Sequence, residues 1–162
     1  MIKSLNKIIL AVSIIASTSL FAETPVPWTG TNGELEAAIV AAGFEGTFVL
    51  EAGEVYGMLA NIAVPESKVL VIKGAETTDM QKASMQPVPL DDGTSGFQGD
   101  GIPGEMFWVT GAGSELHLDN LLLNGMALNQ GWQSGIAGVT GSDNHVHVNN
   151  CIVNGVGALA FF

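Results

Sequence analysis

Arginine is absent from this chain of 162 residues, and cysteine and tyrosine occur once each. Without arginine the chain lacks the planar fork that grips carboxylates and phosphates through paired hydrogen bonds. A single cysteine, Cys151, excludes a disulfide within the chain. It is expected to be a small, buried, inert residue, the alternative being a reactive thiol. Charged residues are also scarce, at 13%, and they are one-sided: sixteen Asp and Glu stand against five Lys. Lys3 and Lys7 lie at the start, so beyond Ala22 only Lys68, Lys73 and Lys82 face all sixteen acids, and the net charge moves from −11 to −13. Such a surface repels phosphate backbones and anionic lipid, so nucleic acid is not an expected partner.

Residues 1–22 have a composition of their own. Lys3 and Lys7 give a positive start, and Ile8 to Leu20 is an apolar run with scattered Ser and Thr. This pattern predicts a secretory signal peptide cut after Ala22, with Leu20 larger than a cleavage site prefers. The run is shorter than the roughly 20 residues of a membrane-spanning helix, which makes a retained anchor the weaker alternative. The mature chain is therefore expected to be secreted, extracellular or periplasmic, or at the cell surface, meeting membrane only during export.

The main feature of residues 23–162 is an internal repeat. Met106 to Ala127 (MFWVTGAGSELHLDNLLLNGMA) recurs 30 residues later as Ile136 to Gly157 (IAGVTGSDNHVHVNNCIVNGVG) without a gap. Leu116-His117-Leu118 and Val146-His147-Val148 alternate apolar and polar, the period of a strand with one buried face. Asn120 and Asn150 follow as turn formers. A second short strand comes next, and Asn124-Gly125 or Asn154-Gly155 marks the next turn. A hairpin at Asn-Gly is the competing interpretation. The 30-residue register instead predicts equivalent strands stacked in parallel about 4.8 Å apart, with Asn120 over Asn150 in an amide ladder.

Upstream, Thr47 to Leu50, Asn61 to Val64 and Lys68 to Ile72 are predicted strands of earlier, irregular coils. The periodicity disappears between residues 75 and 105, a stretch predicted to be a long loop excursion. Ahead of the strands, Thr31-Asn32-Gly33-Glu34 fits a capping box, and Leu35, Ala38, Ile39 and Ala42 form one apolar stripe. A helix over about 32–43, closed by Gly43, is predicted to cover the open end of the core. The last residues, Ala158 to Phe162, are apolar and fall in mid-coil, so further coils or a partner are expected beyond them. The expected architecture is all-β: a right-handed parallel β-helix, or solenoid, with a short N-terminal capping helix.

The order GELEAAIVAAGFEGTFVLEAGEVY, NIAVPESKVLVIKGAE, ELHLDNLLLNG and HVHVNNCIVNG, over about residues 31–160, resembles the N-terminal half of secreted pectate-lyase-like β-helix proteins. That resemblance implies the fold and an extracellular polysaccharide or a cell surface as partner. Its members include lyases, glycoside hydrolases, epimerases and adhesins, so the fold does not choose an activity. Lyases of the family commonly use an Arg or Lys base and Asp clusters that hold calcium. This chain has no Arg and no Asp cluster on a repeated strand, so no catalytic residue is carried over.

Three groups of residues could carry chemistry. Glu115, His117, His145 and His147 are predicted to share the outward face of neighbouring strands, about 5–7 Å apart, where they could bind zinc or supply a general base. Solvated polar side chains are the plain alternative. Asp91, Asp92, Asp100 and Glu105 offer oxygen ligands for calcium, with a spacing that matches neither the EF-hand loop nor the nonapeptide repeat. Trp108 and Trp132, with Phe97 and Phe107, could stack on sugar rings, or could be core. Two function classes remain open: a carbohydrate-active protein, either lyase-like or hydrolase-like, and a non-catalytic adhesin or structural solenoid.

Overall fold

The structure, a computed structural model, describes residues 22–76, 81–89, 98–99, 102–126 and 135–156, with the backbone alone at 98–99 and 102–103. Apart from Ala22, the expected signal peptide lies outside the described residues. Strand β1 (Glu23–Val26) and helix α1 (Glu34–Ala41) come first. A first pass then runs through β2 (Gly46–Leu50), β3 (Val55–Met58) and β4 (Ile62–Val64). The second runs through β5 (Val69–Gly74), β6 (Ala83–Pro87), a short antiparallel pair β7 (Gln98–Gly99) and β8 (Ile102–Pro103), and β9 (Glu105–Val109). The third runs through β10 (Glu115–Asp119), β11 (Leu121–Asn124) and β12 (Gly135–Val139), followed by β13 (His145–Asn149) and β14 (Ile152–Asn154).

Successive passes visit three sheets in one order. The first sheet stacks β1-β2-β5-β10-β13, the second β3-β6-β11-β14 and the third β4-β9-β12, with every pairing in them parallel. The fold of the described residues is thus all-β with one short helix. The register read from the repeat holds in all three sheets, because Leu116 lies against Val146, Leu123 against Val153 and Val109 against Val139.

Alternation creates the core. On the first sheet Phe48, Ile72, Leu118 and Val148 form one inward column, and Leu70, Leu116 and Val146 form the next. Tyr56, Met58, Met85, Leu121 and Leu123 of the second sheet and Ile62, Val64, Met106, Phe107 and Val109 of the third join the same buried cluster. Each such side chain contributes roughly 1.5–3 kcal/mol by leaving water. Burial falls away at the last described strands, where Val148 is 40% and Ile152 54% exposed.

Helix α1 packs against β1 and β3, the outermost strands of their sheets, burying Leu35 and Ile39 there. Its end follows the Schellman pattern: the Phe44 N–H donates to Ile39 O and the Gly43 N–H to Val40 O, with Gly43 at φ 69°. Its start departs from the capping box. The residue before the first turn is Gly33, at φ 84°, whose N–H bonds Gly57 O. Thr31 caps nothing with its side chain, although Glu34 Oε1 does accept from the Thr31 N–H at 3.2 Å. The helix is accordingly shorter than the expected 32–43. The single tyrosine ties this end together, its hydroxyl donating to Val26 O at 2.6 Å and accepting from the Glu51 N–H at 3.0 Å.

The excursion expected over 75–105 is interrupted. Ala83 to Pro87 form β6, which pairs with β3 on one side and β11 on the other. Ala83 and Met85 are fully buried in it. Strands β1 and β3 are further elements beyond those expected.

Candidate functional site

The 30-residue register builds the main side-chain cluster. On β10 and β13, Leu116, Leu118, Val146 and Val148 point to the core side, so Glu115, His117 and Asp119 share the opposite face with His145, His147 and Asn149. His117 lies directly against His147, and the two imidazoles stack with centroids 4.3 Å apart and planes 18° from parallel. Glu115 lies against His145. The His145 ring is tilted against that of His147 at 6.1 Å. His117 Nε2 and Glu115 Oε2 are 2.9 Å apart, and that hydrogen bond is the main reason the Glu115 carboxyl sits below its ordinary value. One ligand atom from each of Glu115, His117 and His147 lies within 4.8 Å of the others. All four residues expected on this patch are therefore brought together there, three of them at near-ligating separation.

At the corner between the first and second sheets the two repeated coils each turn on a left-handed asparagine, Asn120 at φ 55° and Asn150 at φ 49°. Asn150 Nδ2 donates to Asn120 Oδ1 at 3.1 Å, and Asn120 Nδ2 donates at 3.2 Å to both Gly74 O and Ala75 O. This is the expected ladder, anchored on backbone carbonyls of the preceding pass. Beside it runs a groove of about 730 Å³ lined by Glu23, Val49, Lys73, Glu76, Asp119 and Asn149, together with the ladder itself. The lining comes from five stacked strands of the first sheet and the turns that leave them, a span of about 19 Å at the ordinary strand spacing. Asp119 and Asn149 are joined by a 2.9 Å hydrogen bond. The groove begins two residues along the same strand face from the stacked histidines.

The lysines beyond Ala22 are committed to structure. Lys68 Nζ lies 2.7 Å from Glu45, and Lys73 Nζ lies 2.5 Å from Glu23. Lys82 Nζ donates to Asn120 Oδ1 at 2.6 Å and to Asn150 O at 2.7 Å. The Cys151 Sγ is half-buried against Leu118 O and Asn149 O, and desolvation pushes its thiol above the ordinary value.

The aromatic candidates divide. Phe107 is fully buried, so of the two alternatives it takes the core one and is not available to stack on a sugar. Trp108 is half-buried on β9 with its six-membered ring over Gly138, where a Cβ would meet Trp108 Cζ3 at 2.5 Å, so one ring face is taken up in packing. Trp132, Phe97, Asp91, Asp92 and Asp100 lie outside the described residues. Glu105 opens β9 and is half-buried. Sequence reasoning missed the groove, whose Glu23, Val49 and Glu76 come from passes without a repeat. The one available signal was the Asn120/Asn150 pair that edges it.

Comparison with protein-family models, with curated proteins and with solved structures gives no match. Among the described residues no helix is long and apolar enough to cross a membrane.

Proposed function

We propose that the chain forms coils of a right-handed parallel β-helix and acts outside the cell as a carbohydrate-binding protein of the pectate-lyase-like kind. The observation that carries this reading is the groove across five in-register strands, lined by carboxylates and amides. A long open groove of fixed hydrogen-bonding groups suits an extended polymer of hydroxyl-bearing rings. The charge narrows the substrate: with a net charge of −11, no arginine and Lys73 already paired to Glu23, the groove favours a neutral glycan over a polyuronate. The apolar leader ahead of Glu23 supports export.

Polysaccharide cleavage belongs to the same reading, with the proton chemistry assigned to carboxylates or imidazoles. A second reading, a non-catalytic adhesin or structural solenoid, draws support from the engagement of Lys68, Lys73 and Lys82, which leaves none of them as a free base of the kind family lyases use. Affinity electrophoresis in gels carrying neutral or acidic polysaccharides tests the binding claim. Retardation by a neutral glycan that is lost in Asp119→Ala and Glu76→Ala is the expected result. Equal mobility in every gel would refute it. Release of reducing or unsaturated ends from a retarding glycan decides between cleavage and binding alone.

A further inference from the structure

Two features of the His117 patch call for more than a solvated strand face. The chain has three histidines, and all three fall on this one patch beside a carboxylate. Duplication of a coil accounts for His117 and His147, which occupy the same repeat position. It does not account for His145, whose counterpart is Glu115.

We propose that Glu115, His117 and His147 form a binding site for a divalent transition-metal ion, with zinc the best fit. Two imidazoles and a carboxylate match the borderline softness of zinc and leave a fourth, open position for water. A tetrahedral ion at about 2.0–2.2 Å from each donor needs donors about 3.3–3.5 Å apart, so the present spread of up to 4.8 Å must contract. The contraction is small. His147 is exposed, so its ring can leave the stack on His117 by turning about its side-chain bonds, while Glu115 and His117 are already joined on one strand. On binding, His117 Nε2 exchanges its hydrogen bond to Glu115 for the ion, and the neutral ring carries its proton on Nδ1. The backbone supplying all three donors is a paired parallel ladder, which holds their Cα positions fixed. The hard cations calcium and magnesium prefer all-oxygen shells and are poor occupants of a site that is two-thirds nitrogen.

The test is calorimetric titration of zinc chloride into the full chain carrying no polyhistidine tag, with cobalt(II) absorption as a second readout and no glycan present. The result is thus independent of the carbohydrate reading. The expected outcome is one zinc per chain, retained in a tenfold excess of calcium, with an affinity reduced at least about tenfold in His117→Ala and in His147→Ala. Cobalt should give the intense visible bands of a four-coordinate site. Superimposable isotherms for wild type and the double variant, or displacement of zinc by calcium, would overturn the proposal. Should the double variant fail to fold, ring-proton NMR of wild type decides: zinc must shift the His117 and His147 resonances, and unmoved resonances count against the site.

Discussion

Asn150 donates its side-chain amide to the side-chain oxygen of Asn120, 3.1 Å away and 30 residues earlier, while both residues hold the left-handed backbone conformation. Asn120 also bonds two carbonyls of the preceding pass. Asn120→Ala removes all these bonds and places an alanine in a region it disfavours. A loss of about 2–3 kcal/mol in urea unfolding is expected. Asn150→Ala, at the outer end of the described ladder, meets the same backbone penalty but loses only its bond to Asn120 and should cost about 1–2 kcal/mol. Equal effects of the two substitutions would contradict the ladder's direction.

Two nearby glycines separate crowding from conformation. A Cβ at Gly111 would stand 2.0 Å from Glu66 Cα, whereas Gly113, at φ 68°, has nothing within 4 Å of the same position. Gly111→Ala must displace backbone and is expected to cost more than about 3 kcal/mol, against about 1 kcal/mol for Gly113→Ala. Thermal melts of the pair check this, and the reverse ranking would refute the close approach of the two turns.

Glu36 carries a pH signature. Burial pushes its carboxyl above the ordinary value of 4.5, against the pull of hydrogen bonds from backbone N–H groups, among them Leu59's at 2.6 Å. Its second oxygen is buried without a partner. The native state therefore binds this proton more tightly than the unfolded chain. The stability tied to it is present in acid and is lost as pH rises through the raised value. Glu36→Gln keeps an acceptor for Leu59 and should stabilise the protein at neutral pH by on the order of 1 kcal/mol. That advantage should shrink as pH falls toward 4.5. Denaturation midpoints measured across that range test the sign.

Cys151 should react slowly. Its thiol is raised by burial and lies against two carbonyls. Alkylation by iodoacetamide at neutral pH is expected to be at least about tenfold slower in the native chain than in urea. Comparable rates would mean that the turn between β13 and β14 opens freely.

The parts of the fold legible in the sequence are those that repeat. Identical spacing placed His117 on His147 and Asn120 on Asn150 before any coordinate, because all three strand pairs of the repeat share one offset of 30 residues. Strand β6 was illegible for the opposite reason. Ala83, Ser84 and Met85 have neither branched side chains nor alternation, and they extend because the backbone edges of β3 and β11 are there to pair with them. Thr31 looked like a helix cap, yet the preference of Gly33 for positive φ and its bond to Gly57 set the start of the helix two residues later. Composition cannot distinguish an outward aromatic from an inward one, so the sequence leaves Phe107 open between sugar stacking and the core; Met106 and Phe107 are consecutive buried residues that break the strand's alternation.

Lys82 lies just ahead of β6, yet its ammonium reaches both Asn120 of the next pass and Asn150 of the one after. An array held only by contacts between adjacent layers unravels from its free end one layer at a time. A cation stitched through three layers couples neighbours once removed, so a pull on the outermost layer is transmitted past its immediate support. Under mechanical load the last two described layers should then yield in a single event, and Lys82→Met should split that event into two smaller ones.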